Sequence, residues 1–184
     1  MAILPIVIAP DERLNTKSSP VDVIDDEIRI LAADMFDTMY AENGIGLAAV
    51  QVGELNRMLV ADVEWSEDKG PGNQHVLINP EILEQDAEPK PYKEGCLSFP
   101  EQYSEVARPK SVKVKYQNLE GEWQEEHFDG LLATCIQHEI DHINGIVFVD
   151  HISKLKRDKI HKRLTKMKKL GYFDEHVHDE YCNH

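Results

Sequence analysis

Two histidines four residues apart, His138 and His142, with Glu139 between them, constrain this chain more than any other feature. On a helix, positions i and i+4 lie one turn apart on the same face, so both imidazoles can grip one metal ion. Glu139 sits beside them, placed to take a proton from a water held by that ion. The surrounding residues predict how such a helix is mounted. Leu132, Ile136, Ile140 and Ile143 draw an apolar stripe that holds it from behind, and Leu131, Cys135, His138 and His142 draw the neighbouring face. Asp129-Gly130 starts the helix and Asn144-Gly145 stops it.

Two histidines do not complete a metal site. Cys135 shares their face but lies seven residues from His142, about 10 Å along a helix axis. Metal–sulfur and metal–nitrogen bonds are only about 2.3 and 2.0 Å long. Cys135 therefore reads as a small buried wall residue. The His-rich end of the chain, His176 to His184, lacks apolar anchors. His75, His127, His151 and His161 stand at no recognisable ligand spacing and read as structural or exposed. Cys96 remains, in Glu94-Gly95-Cys96-Leu97-Ser98, where the Leu-Ser-Phe run looks strand-like. A lone cysteine there is ordinarily a buried hydrophobe, but two histidines in want of a third ligand weigh against that.

The 184 residues suffice for one domain with a sizeable core. No apolar run approaches membrane-spanning length. The apolar start lacks basic residues and is broken by Pro5 and Pro10, so it reads as a strand or extended arm and not a leader. Three cysteines, Cys96, Cys135 and Cys182, argue against a disulfide framework and for a reducing, cytoplasmic setting. Asp11 to Asn15 predicts a short helical turn. Ile24, Ile28, Leu31, Met35 and Met39 draw one helical stripe between about Ile24 and Asn43, with Asp22, Asp25 and Asp26 at its acidic start. Met58–Val63, His75–Asn79 (ended by Pro80), Val112–Tyr116, Trp123–Phe128 and Ile146–Val149 read as strands, and Glu64–Gln74 as a polar surface loop. The expected fold is a single α+β domain: antiparallel or mixed strands packed around the central H-E-x-x-H helix, with an N-terminal and a C-terminal helix.

The net charge of −14 is unevenly spread. Between Ser153 and Gly171 nine Lys and Arg residues face one acid, Asp158, on a helix capped by Ser153 and striped by Ile160, Leu164 and Met167. Such a run is either a solvated face or a patch for an anionic partner such as RNA.

Three segments in order carry a resemblance: Gly44-Ile45-Gly46-Leu47-Ala48-Ala49-Val50-Gln51, Glu94-Gly95-Cys96-Leu97-Ser98 and Gln137-His138-Glu139-Ile140-Asp141-His142. Together they closely resemble the three signatures of the peptide deformylases, G-x-G-x-A-A-x-Q, E-G-C-x-S and H-E-x-x-H, and the likeness is to the bacterial-type enzymes that end in a C-terminal helix. The resemblance implies that Cys96, His138 and His142 are metal ligands and Glu139 the general acid/base. It implies that Gln51 and the backbone N–H of Leu97 meet the developing oxyanion, that Gly46 offers backbone hydrogen bonds to the substrate, and that Glu94 supports the site. Arg108 and Asp141 would stand behind the ligands, and Ile45, Tyr92, Leu131 and Cys135 would line a methionine pocket. Two departures fall near the expected groove: Val50 where many relatives have Thr, and Tyr103 where many have Arg.

The implied activity is metal-dependent removal of the N-formyl group from the N-terminal formylmethionine of newly made proteins, releasing formate. The implied native ion is Fe²⁺, with Zn²⁺, Ni²⁺ or Co²⁺ as substitutes. The implied partners are N-formylmethionyl nascent peptides and the ribosome near the peptide exit, met by the basic helix of residues 153–171, with no membrane involved. Residues 1–171 form the expected catalytic domain and 172–184 an acidic, flexible tail. Two other classes remain open on the residues alone. One is a different H-E-x-x-H hydrolase or peptidase, although nothing downstream continues an H-x-x-G-x-x-H pattern. The other is a structural zinc module, which would need a fourth protein ligand.

Overall fold

The ligand helix packs on one of two cores that share one strand. A computed structural model describes residues 2–173. Helix α1 spans Asp26–Ala41, capped by the Asp25 side chain on Ile28 N–H. Seven strands follow: β1 (Gly46–Ala48), β2 (Met58–Ala61), β3 (His75–Gln85), β4 (Pro89–Cys96), β5 (Phe99–Pro109), β6 (Ser111–Gln117) and β7 (Trp123–Asp129). Helix α2 (Gly130–Ile143) carries the histidines and α3 (Lys154–Lys169) the basic run.

Five strands form one sheet in the order β1-β2-β3-β6-β7, and β4 pairs with β5 in a separate hairpin. Every strand pair is antiparallel, which narrows the expected antiparallel or mixed arrangement. In β2 all four residues are buried. Successive strand side chains point to opposite faces. Met58 and Val60 accordingly join α1's Ile28, Ala32, Met35 and Met39 on one face. Leu59 and Ala61 join α2's Ile136 and Ile140, with Leu77, Val114 and Phe128, on the other. This double burial explains a short apolar run without polar alternation. A third cluster, Phe99, Val106, Phe148 and Val149, is closed by Ile160 and Leu164 of α3. The stripe on α3 is thus a core face, while eight of its nine cations are exposed.

Several local expectations change. Helix α1 starts at Asp26, because Asp25 takes the cap and leaves Ile24 outside. Strand β3 continues through Pro80: Asn79 takes a positive φ of 52°, and a register shift between Ile78 and Glu81 absorbs the proline at an irregular point of the ladder. Leu97-Ser98 is the turn between β4 and β5, not part of a strand. The Ile146–Val149 strand is absent among the described residues. Phe148–His151 forms a single 3-10 turn instead, because the Asp150 carboxylate accepts from Val147 N–H at 3.0 Å. The β-branched residues there pack as core without a strand partner. The N-terminal stretch is an extended arm: Val7 N–H donates to Gln51 O and Ala9 N–H to Ser98 O. No helix among the described residues is long and apolar enough to cross a membrane. The expected tail from residue 174 onward, with Cys182 and its histidines, lies outside the described residues.

Candidate metal centre

Strand β4 and helix α2, separated by more than thirty residues, bring three donor atoms together. His142 Nε2 lies 3.2 Å from Cys96 Sγ and 3.2 Å from His138 Nε2. All three ligand atoms fall within 4.8 Å of one another. A tetrahedral ion with the bond lengths of such ligands separates its donors by about 3.3–3.6 Å, so the cluster fits one first-row cation. Among the described residues these three alone group as donors, one short of a closed structural site. Cys135 stands apart: its thiol donates to Ile45 O at 3.4 Å. Burial, followed by the charges of Glu139 and Glu94, pushes that thiol well above its ordinary range, so it stays protonated.

The ligands are backed by a buried chain of charges. His138 Nδ1–H donates to Glu94 Oε2 at 2.9 Å, which turns Nε2 toward the cluster. Arg108 grips Glu94 with two bonds, Nε to Oε1 at 2.5 Å and Nη2 to Oε2 at 3.0 Å. Its Nη1 donates to Asp141 Oδ2 at 2.8 Å. His151 Nε2–H reaches the same Asp141 oxygen at 2.7 Å from the surface. Burial works to raise the Glu94 carboxyl, but hydrogen bonds from His138 and Arg108 outweigh it and hold Glu94 below its usual range. Burial, with the charges of His138 and Arg108, drives His142 well below its ordinary value. A neutral His142 offers a lone pair to a metal. At His138 burial is overruled by Cys96 and Glu94, which favour a positive charge; a cation in that place competes with the proton.

Glu139 faces a cavity of about 530 Å³, shared with Ile45, Gly46, Tyr92, Leu131 and Cys135. Burial pushes its carboxyl up to about 7, against the opposing pull of His138 and Arg108. Its Oε2 has no hydrogen-bond partner among the described residues. Gln51 is oriented by Ala48 N–H, which donates to its Oε1 at 2.9 Å. The amide nitrogen therefore faces the cluster, donating to Ser98 Oγ at 3.2 Å and Cys96 Sγ at 3.4 Å. A Cβ on Gly46 would stand 2.5 Å from Cys135 Sγ and 2.7 Å from Glu139 Oε1, so only glycine fits. Leu97 and Tyr103 also line the cavity. Val50 does not: it is wholly buried against Ala48 and Ile143, which removes it from the groove expected for it.

All fourteen residues given a site role from the sequence lie in or directly behind this cavity. Two others were passed over. Ser98 holds Gln51, and the E-G-C-x-S pattern already contained it. His151, read as structural or exposed, braces Asp141; its distance in sequence from the histidine pair gave no signal.

The chain matches the family model described as polypeptide deformylase over residues 3–158. It is 51% identical over 172 residues to a peptide deformylase of Zymomonas mobilis, covering 92% of this chain and 97% of that one. It is 54% identical over 169 residues to one of Mesorhizobium japonicum, covering 92% and 95%. The crystal structure of a peptide deformylase from Legionella pneumophila superposes with a TM-score of 0.85 at 43% identity, covering 93% of this chain and 98% of that one. The Ehrlichia chaffeensis enzyme in complex with actinonin gives 0.85 at 40% identity, covering 92% and 99%.

Replacing Arg108 by Met leaves Glu94 buried and short of its main partner. Chemical denaturation should show a loss of about 3–5 kcal/mol, the penalty for an uncompensated buried charge. A change below about 1 kcal/mol would mean that Glu94 is carried by His138 alone.

Proposed function

This chain belongs to the polypeptide deformylase family, and from that membership we propose how its own residues carry out the reaction. It is a metal-dependent hydrolase that removes the formyl group from the N-terminus of newly made peptides. The observation that carries the residue assignment is the convergence of Cys96 Sγ, His138 Nε2 and His142 Nε2 beside the partnerless Oε2 of Glu139. These three donors would hold the ion. When bound, a divalent cation there lowers the pKa of a water and polarises the formyl carbonyl.

Glu139 takes the proton as water oxygen attacks the formyl carbon. The oxygen charge that develops is met by Gln51 Nε2–H and by the N–H of Leu97. Gln51 is preset by Ala48 N–H, and its N–H on Cys96 Sγ is the one that would turn to the substrate oxygen. The carbon–nitrogen bond then breaks, and Glu139 returns its proton to the departing amine. Formate and a free α-amine leave. Gly46 pairs with the substrate backbone, and Ile45, Tyr92, Leu131 and Cys135 surround the methionine side chain. Glu94, Arg108 and Asp141 hold His138 in its ligand orientation. The glycine-walled approach favours a formyl carbon, which carries only hydrogen, over bulkier acyl groups.

We assign Fe²⁺ as the native ion, with Zn²⁺, Ni²⁺ or Co²⁺ as substitutes; a mixed thiolate and imidazole set accepts all of them. Residues 1–171 act as one catalytic domain, followed by an acidic tail. The enzyme works in the cytoplasm and meets the ribosome near the peptide exit through α3. Supporting that contact, Lys154, Lys156, Lys159, Lys162, Arg163, Lys166, Lys168 and Lys169 are all exposed while Ile160 and Leu164 fasten the helix to the core.

Glu139→Ala should keep its metal by elemental analysis and lose about 10²–10⁴-fold in formate release; full turnover by a metal-replete variant would refute the assigned role. Iron-loaded enzyme should lose activity in air and keep it under nitrogen, since thiolate oxidation begins at such a site. Equal half-lives in the two atmospheres would rule out the oxygen-sensitive iron site. Removing α3 would open the core beneath Ile160 and Leu164, so charge reversal is the cleaner test of docking. Lys162→Glu, Lys166→Glu and Lys169→Glu together should weaken ribosome binding and flatten its salt dependence, with small-peptide turnover unchanged. Undiminished ribosome binding would exclude α3 as the contact.

A further inference from the structure

Beside the reaction centre, Gly44 and Gly46 flank Ile45 and leave it the only side chain of the segment that packs on a core. A Cβ on Gly44 would meet Leu97 Cδ1 at 2.8 Å, as one on Gly46 would meet Cys135 and Glu139. At the glycines the segment is held by its backbone. Gly44 N–H donates to Met39 O at 2.8 Å, and Ile45 O accepts from Asp62 N–H at 2.9 Å. The Gly44 carbonyl accepts from the indole Nε1–H of Trp65 at 2.6 Å.

Trp65 comes from the polar connection between β2 and β3, which the sequence marks only as a surface loop. That connection is held far more tightly than a loop of its composition suggests. Asp62 is wholly buried. Its carboxylate accepts from Glu64 N–H and Trp65 N–H at 3.1 Å each. It also accepts from Gly72 N–H and from Tyr40 O–H, both at 2.8 Å. The Trp65 ring lies against Tyr40 with centroids 5.1 Å apart, and Gln74 Nε2 donates to the Tyr40 hydroxyl at 2.9 Å. One carboxylate thus turns the start of the connection into a bracket whose free end is an indole N–H on Gly44.

We propose that Trp65 is a positioning residue for the peptide substrate: its indole N–H on the Gly44 carbonyl sets the place of the Gly44–Gly46 segment that leads into β1 and along which the substrate backbone pairs. The assignment rests on the deformylase reading and on Gly46 as the backbone partner of the substrate. Backbone pairing tolerates only a few tenths of an ångström in donor–acceptor distance, and the glycines have no side chain to resist a shift. Trp65 does not line the cavity, so its loss alters how the peptide is held and not the bond-breaking step.

Trp65→Phe keeps an aromatic ring against Tyr40 and removes the donor. Steady-state formate release from formyl-Met-Ala-Ser should show KM raised about three- to tenfold, the scale of one hydrogen bond, with kcat near that of the parent. A second readout uses the two tryptophans of the chain, of which Trp123 is exposed on β7. In a Trp123→Phe background, the emission of Trp65 should shift when Met-Ala-Ser is added at concentrations that inhibit turnover. An unchanged KM in a folded Trp65→Phe variant overturns the proposal, as does a fall in kcat alone. If that variant does not fold, the emission decides, and emission unmoved by the peptide overturns it. Parent enzyme that releases no formate would sink the deformylase reading instead, a distinct outcome.

Discussion

The guanidinium of Arg108 is the interaction on which the rest of the site depends. Glu94 is almost fully buried, and an ionised carboxylate in such a place is tolerable only if it is paired and hydrogen-bonded. Arg108 supplies both, on Glu94 from its own hairpin and on Asp141 from α2. The pair therefore locks two elements with no sheet in common. Once locked, Glu94 reaches His138 Nδ1 and fixes which imidazole nitrogen faces Cys96. The metal donors are aligned by a network that contains none of them at its centre.

The three cores serve that alignment. The α2 helix is pressed against the sheet through Ile136 and Ile140, and its histidines emerge on the adjoining face. The hairpin of β4 and β5 is not part of the main sheet. It is held instead by Phe99 and Val106 packing on Phe148 and on α3. The basic helix consequently has two jobs at once: its apolar side closes the core under Cys96, and its outer side carries the charge that the sequence displayed.

What could be read in advance followed the strength of local signals. The histidine spacing, the stripes of α1, α2 and α3 and the caps at Asp25 and Ser153 are periodic or chemical features of contiguous residues, and they hold up as secondary structure. The hairpin strand β5 gave no such signal, because its buried positions include Gln102 and Arg108 as well as Phe99 and Val106. The run at Ile146–Val149 misled for the complementary reason: Val147, Phe148 and Val149 are buried as a strand's residues can be, but a side-chain carboxylate at Asp150 decided the backbone shape. Contacts such as His151 on Asp141 and Trp65 on Gly44 join residues with no sequence relation. They exist only once the chain has folded.

The crowding around Gly46 also limits how this enzyme can change. Its neighbours on the side-chain direction are Cys135 and Glu139, the first a wall of the cavity and the second the proposed proton carrier. A side chain that crowded out a peptide-like inhibitor at this strand would displace the group needed for turnover. Escape from such an inhibitor is therefore closed on the glycine side. It is left to Tyr92 and Leu131 of the same cavity, which are exposed and have room to vary.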